Sequence, residues 1–208
     1  DQQRCLELAE QGAQTVASAA DVCQQCRTIF LSLPDSTVVA EVIERIRSKL
    51  QSGDIVIDTT TGNPRDTRHT CQLLAAGGIS YLDATIVGSS VQVRSREGLM
   101  LIGGDASAVS NCQSLLDTIS DHALHLGPSG AGATMKLVVN LVLGLNRAVL
   151  AEGLSLGEAC GLETEQVLAV LRQSPAYASV MDTKGLKMIL GDFSPQARLA
   201  QHLKDVRL

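Results

Sequence analysis

Gly127-Pro-Ser-Gly-Ala-Gly-Ala-Thr-Met-Lys-Leu-Val-Val-Asn140 is where the sequence changes character. Before it, short apolar runs alternate with helical patterns. After it, the spacing is helical throughout. Gly127, Gly130 and Gly132 let backbone pass close to a ligand or another strand. The run is not a phosphate-binding P-loop, which needs Lys directly after its last Gly and then Ser or Thr. Lys136 and Asn140 stand four apart, so they share one face of the helix that starts here. With Leu137, Val138, Val139 and Leu141 around it, near a helix N-terminus, Lys136 is expected to lose solvation and to feel the positive end of the helix dipole. Both effects lower an amine pKa toward values useful for proton transfer. Taken alone, the spacing also fits a plainer arrangement, a snorkelling lysine beside a hydrogen-bonded asparagine.

Working outward, the upstream half reads as alternating helices and strands. Asp1 to Gly12 has helical spacing, and Gln14 to Ala17 is a short extended run. Ser18 looks like the N-cap of a short helix through Cys26. Thr28–Leu33, Asp54–Asp58, Ile79–Asp83, Leu99–Ile102 and His122–Leu126 read as strands. Between them, Asp35 or Ser36 caps a helix with Val38, Val39, Val42, Ile43 and Ile46 on its apolar face. Pro64 sits in the first turn of another helix, closed by Gly77-Gly78, and Asp105–Ser120 is a third. Short apolar strands separated by helices predict an α/β fold, a Rossmann-like doubly wound parallel sheet covered on both faces. Downstream, Ala133 to about Cys160 reads as one long helix, apolar almost all round. Its Gly144, Gly153 and Gly157 would let another helix approach closely. A second helix runs from Glu163 to Ser174. The expected organisation is an α/β part over 1–127 and an all-helical part over 128–208.

Composition narrows the function classes. Among 208 residues, 17 basic side chains face 22 acidic ones, for a net charge of -5, and no basic block stands out. Aromatics make up 2%, with no Trp. A phosphate-backbone binder or a base-stacking platform is therefore not expected, and nucleic acid is excluded as a main partner. No stretch reaches 18 uncharged apolar residues, so no membrane span is expected. The six cysteines are scattered without a secretory pattern and read as reduced, buried thiols of a cytoplasmic protein. Cys23-Gln-Gln-Cys26 lacks the second pair or spaced histidines of a zinc site, and no metal is expected.

Two further segments carry polar chemistry. Asp83-Ala-Thr-Ile-Val-Gly88-Ser89-Ser90 is placed just past a strand end, where open α/β sheets bind ligands. Backbone amides of Gly88, Ser89 and Ser90 in such a turn can hold a carboxylate. Lys204-Asp205 is, by itself, a solvated pair.

In this order, the segments resemble those of the β-hydroxyacid dehydrogenases, a family that includes 3-hydroxyisobutyrate dehydrogenase and tartronate and succinic semialdehyde reductases and, more distantly, 6-phosphogluconate dehydrogenase. The resemblance covers essentially the whole chain. Leu33-Pro34-Asp35 looks like the family's strand-end cofactor turn, and Asp58-Thr-Thr-Thr61-x-x-Pro64 like the segment whose Thr lies near nicotinamide. Asp83 to Ser89 resembles the substrate-carboxylate loop, Gly127 to Asn140 the start of the catalytic helix, and Leu203-Lys204-Asp205 the late Lys-Asp over the nicotinamide.

The resemblance implies a partial Rossmann-type NAD(P)-binding domain over 1–127 and an incomplete helical domain after it. It implies an oxidoreductase that interconverts a short 3-hydroxy acid and its semialdehyde with NAD or NADP. Lys136 would be the acid/base and Asn140 its orienting partner. Gly88, Ser89 and Ser90 would bind the substrate, and Leu33, Pro34, Thr61 and Lys204 the cofactor. A homodimer or homotetramer is implied as well. The family's opening strand, Gly-x-Gly-x-x-Gly turn and helix have no counterpart here, which reads either as an N-terminally truncated chain, inactive by itself, or as a protein without its main cofactor site. Val87 stands where the family often has a substrate-binding Ser, Arg96 where Gly is common, and Ala197 where a Phe often packs. These departures leave a rival expectation, a non-catalytic ligand-binding or oligomerisation relative.

Overall fold

The computed structural model describes residues 2–194, 203–205 and 207. They form two compact units, residues 1–136 and 137–208.

Local chemistry sets the helices of the first unit. Gln2–Glu10 is α1. Ser18 caps α2 (Ala19–Gln25) in a reciprocal box with Asp21. The Asp35 carboxylate accepts from the Val38 amide at 3.0 Å and starts α3 (Ser36–Ile46). Asn63 caps α4 (Pro64–Ala75), with Pro64 in the first turn, where its missing N–H does no harm. Ser90–Arg94 is the short α5, and Asp105 caps α6 (Ala106–Ile119).

Five strands, β1 (Thr28–Leu31), β2 (Ile55–Asp58), β3 (Ser80–Val87), β4 (Leu99–Gly103) and β5 (His122–His125), form one sheet in sequential order. The expected parallel arrangement holds for three of the four pairings; β3 and β4 run antiparallel. The reason is length. Residues 88–98 hold only α5, short of the dozen or more residues a parallel crossover requires. The strand also runs past Asp83, where the sequence suggested a loop. Ala84–Val87 leaves the edge of β2 and pairs with Ile102–Leu99 of β4 instead. The extended run expected at Gln14–Ala17 joins no strand.

Both faces of the sheet are covered, as expected. Right-handed crossovers in one direction put α3 and α4 on the same face, and the reversal at β4 sends α6 to the other. Ile29, Val56 and Tyr81 pack with Val39 and Ile43 of α3 and Leu74 of α4. On the opposite face, Ile57, Leu82 and Met100 pack with Val109, Cys112 and Leu116 of α6. Each of these large side chains contributes roughly 1.5–3 kcal/mol on full burial.

The long helix α7 (Ala131–Ala159) begins in the first unit and continues into the second. There Leu150 and Leu154 pack with Leu168 of α8 (Thr164–Gln173) and Val180 and Met181 of α9 (Val180–Ile189). The close approach expected at Gly157 occurs: a Cβ there would lie 2.6 Å from Val167, whereas at Gly153 the nearest atom is at 3.9 Å. By length and composition alone α7 is able to cross a membrane, although Lys136, Asn140, Arg147 and Glu152 interrupt it and its first turn is bonded to β3. All six cysteines are free thiols, and the expectation that they are buried holds for Cys23 and Cys112 alone. Cys5, Cys26 and Cys160 are exposed, because they occupy outer helix faces or a helix end.

Candidate active site

Parallel strands leave their carboxyl ends open to a ligand, and here the turns after β1 and β2 are tied to each other. The Thr59 amide and hydroxyl both donate to the Leu31 carbonyl, the hydroxyl at 2.9 Å. The Leu33 amide donates to Thr60 Oγ1 at 3.0 Å, and the Asn63 amide donates to Ser36 Oγ at 2.8 Å. Leu33, Pro34 and Thr61, singled out from the sequence, therefore sit in two turns held as one ledge.

Behind the ledge lies a buried acid. Asp58 accepts from the Thr60 amide at 2.9 Å and from the Tyr81 hydroxyl at 2.6 Å. Burial pushes the Asp58 carboxyl above its ordinary range, and the bonds from Thr60 and Tyr81 pull it back. Tyr81 is raised too, by burial first and then by the charge of Asp58. These two side chains line a small polar recess with Ser36, Thr67 and Thr70, roomy enough for about one water.

The next strand meets α7. Asp83 Oδ1 accepts from the Gly130 amide at 2.8 Å, and Oδ2 from the Ala133 amide at 2.9 Å. Thr85 Oγ1 donates to the Gly132 carbonyl at 3.2 Å. One turn further, Lys136 Nζ donates to the Ile86 carbonyl at 2.6 Å. Lys136 is thereby brought to the end of β3, two residues before Gly88.

In the loop that follows, the Ser89 amide donates to Gln92 Oε1 at 2.8 Å, in a capping box that starts α5. A carboxylate bound at this amide has to displace the Gln92 side chain. Val87 is the last residue of β3. Arg96 stands in the left-handed region at φ 62°, with its guanidinium on Asp121 and the Asp117 carbonyl. A glycine is at ease in that backbone, whereas an L-residue such as Arg96 is strained there.

In the second unit, Asn140 Nδ2 donates to Asp205 Oδ2 at 3.1 Å, and Lys204 Nζ lies 3.3 Å from Asp205 Oδ1. The Lys-Asp pair thus meets the asparagine of α7. Ala197 lies outside the described residues.

Sequence reasoning missed the roles of Asp58, Tyr81 and Asp83 while quoting the segments that hold the two acids. Their signal was an acid inside an otherwise apolar strand, which must find partners to be buried. Among the described residues, no group of three His, Cys, Asp or Glu is placed to hold a metal.

Comparisons with known proteins match both parts of the chain. Residues 1–127 match the NAD binding domain of 6-phosphogluconate dehydrogenase, and 130–208 match the NAD-binding domain of NADP-dependent 3-hydroxyisobutyrate dehydrogenase. The chain is 31% identical to 2-(hydroxymethyl)glutarate dehydrogenase of Eubacterium barkeri over 202 residues, 95% of this chain and 67% of that one. It is 28% identical to the cytokine-like nuclear factor N-PAC of Aedes aegypti over 208 residues, 99% of this chain but 37% of the relative. The structure of 3-hydroxyisobutyrate dehydrogenase from Mycobacterium tuberculosis shares the fold, with a TM-score of 0.85 at 23% identity over 91% of this chain and 68% of that one.

The fold and the matched domains define a nicotinamide-nucleotide-binding protein, with NAD or NADP as its cofactor class. The chain belongs to the β-hydroxyacid dehydrogenase family.

Proposed function

We propose that the protein is an NAD(P)-dependent oxidoreductase that interconverts a short 3-hydroxy acid and its semialdehyde, with Lys136 as the acid/base. The observation that supports this reading is the bond from Lys136 Nζ to the Ile86 carbonyl, two residues before Gly88. The nicotinamide, when bound, accepts or supplies the hydride. Leu33 and Pro34 offer an apolar surface and Thr61 a hydroxyl to its ring end, on a ledge fixed by the Thr59 and Thr60 bonds. Amides of Gly88, Ser89 and Ser90 hold the substrate carboxylate. In the oxidative direction Lys136 takes the hydroxyl proton, and in reduction it returns it. Asn140, one helical turn on, orients the hydroxyl, and Lys204 borders the nicotinamide side.

The protein acts in the cytoplasm as a homodimer or homotetramer. The outward apolar residues of α7, among them Leu141, Leu145 and Val149, support self-association. The second reading, a non-catalytic ligand-binding or oligomerisation relative, draws on the similarity to N-PAC, a nuclear factor by name. In a version that carries an upstream strand, Gly-x-Gly-x-x-Gly turn and helix, spectroscopy of reduced nicotinamide, with NAD and NADP and a panel of short 3-hydroxy acids and semialdehydes, separates the two. Turnover that disappears in Lys136→Ala is expected. Cofactor binding without turnover of any panel member would leave the second reading standing.

A further inference from the structure

A carboxylate in the middle of a buried strand is costly unless it is partnered, and Asp83 is 2% exposed. The reaction outlined above makes no use of it. Its two oxygens are instead taken up by the amides of Gly130 and Ala133. Amides at the start of a helix have no carbonyl one turn back to bond, and the dipole there favours negative charge. A residue of β3 therefore caps α7, 47 and 50 positions away in the chain.

The fit around this cap is close. Asp83 stands opposite Gly103 of β4, where a Cβ would lie 2.7 Å from Asp83 Oδ1. A Cβ on Gly132 would lie 2.4 Å from the Leu101 carbonyl oxygen and 2.7 Å from that of Asp83. The first turn of α7 is thus pressed onto the backbone of β3 and β4. From that turn, Lys136 reaches back to Ile86 on the same strand.

We infer that Asp83 is a positioning residue: through the Gly130 and Ala133 amides it fixes how the first turn of α7 sits on β3, and so where Lys136 presents its ammonium group. The catalytic consequence rests on the role proposed for Lys136; the geometric part does not.

Asp83→Asn tests it. The side chain keeps its shape, but one acceptor oxygen becomes an NH₂ group facing a backbone N–H. Two measurements are made on the whole protein: steady-state kinetics, and the rate at which acetic anhydride modifies Lys136, read by mass spectrometry. The expected result is a kcat lower by roughly 10²-fold, the effect of a misplaced reacting group, with KM for cofactor nearly unchanged. Acetylation of Lys136 should rise several-fold, while amide exchange of Val56 and Ile57 in the sheet stays slow. Gly132→Ala lifts the same turn sterically with the carboxylate intact, and it should give the same signature. It also carries the test if Asp83→Asn does not fold.

Unchanged Lys136 acetylation in a folded Asp83→Asn variant overturns the inference, even where Lys136→Ala abolishes turnover. Faster acetylation supports it, even where Lys136→Ala leaves turnover intact and the functional reading fails.

Discussion

Lys136 Nζ donates to the carbonyl of Ile86 at 2.6 Å, so the amine on α7 and the strand leading to Gly88 are held as one piece. An acid/base works when it is held within reach of the proton it moves. Lys136→Ala should therefore lower turnover by roughly 10²–10⁴-fold and leave cofactor affinity almost unchanged. Lys136→Arg should fail as well, since a guanidinium does not release its proton near neutral pH. Steady-state kinetics decide this, and near-normal turnover in the Ala variant excludes Lys136 as the acid/base.

Asn140 and Asp205 share a hydrogen bond in the second unit. Asn140→Ala should slow turnover less than Lys136→Ala, because an orienting group moves no proton. If Asp205 acts by holding Asn140, the double variant Asn140→Ala/Asp205→Ala should be about as slow as the slower single one. Additive losses in kcat/KM would assign the two residues separate tasks.

Stability should fall as pH rises from the ordinary Asp value toward the raised folded one. The folded pKa of Asp58 is raised by burial above its ordinary value of 3.8. Between those two values the folded protein binds a proton that the unfolded chain has released, so stability declines with pH across that window. Asp83 is raised for the same reason and adds a slope of the same sign. Asp58→Asn keeps an acceptor for the Thr60 amide and should flatten this decline. Urea unfolding from pH 4 to 7 measures it, and a variant slope equal to that of the parent would rule out Asp58 as its source.

Arg96 combines a left-handed backbone with an ion pair to Asp121. An L-residue in that region costs about 1–2 kcal/mol, and an exposed pair returns at most about 1 kcal/mol. Arg96→Ala keeps the strain and loses the pair, whereas Arg96→Gly loses both. The Gly variant should be the more stable of the two, by about 1 kcal/mol. Denaturant midpoints that rank Ala above Gly would contradict this account.

Leu141 and Leu145 on α7 are 55% and 56% exposed. Glutamate at both positions should lower the molar mass seen by light scattering if this face joins copies of the chain. An unchanged oligomer moves the contact elsewhere.

Much of this was legible in the sequence because local rules governed it. Ser18, Asp35, Asn63 and Asp105 mark helix starts through hydrogen bonds to amides two or three residues on. The five strands and the long helix followed from their apolar spacing. What stayed hidden depended on distant neighbours. The stretch Ala84–Val87 is strand because β4 returns beside it, and nothing in its own residues announces that partner. Likewise, Asp83 reads as a loop residue until α7 supplies its two amides, and Tyr81 as ordinary core until it meets Asp58. Lys136, Asn140 and the Gly88 loop were singled out because, in this order, they resemble a family pattern. Asp58 and Asp83 were quoted within segments of that pattern and left without a task.

The split pairing of β3 divides the sheet mechanically. One half of the strand is zipped to β2, and the other forms a hairpin with β4. A change of length within 89–95 falls at the tip of that hairpin, away from the register of β1 with β2. The segment is therefore an exchangeable cassette. Chains of this architecture can change at the hairpin tip while the rest of the sheet goes on unaltered.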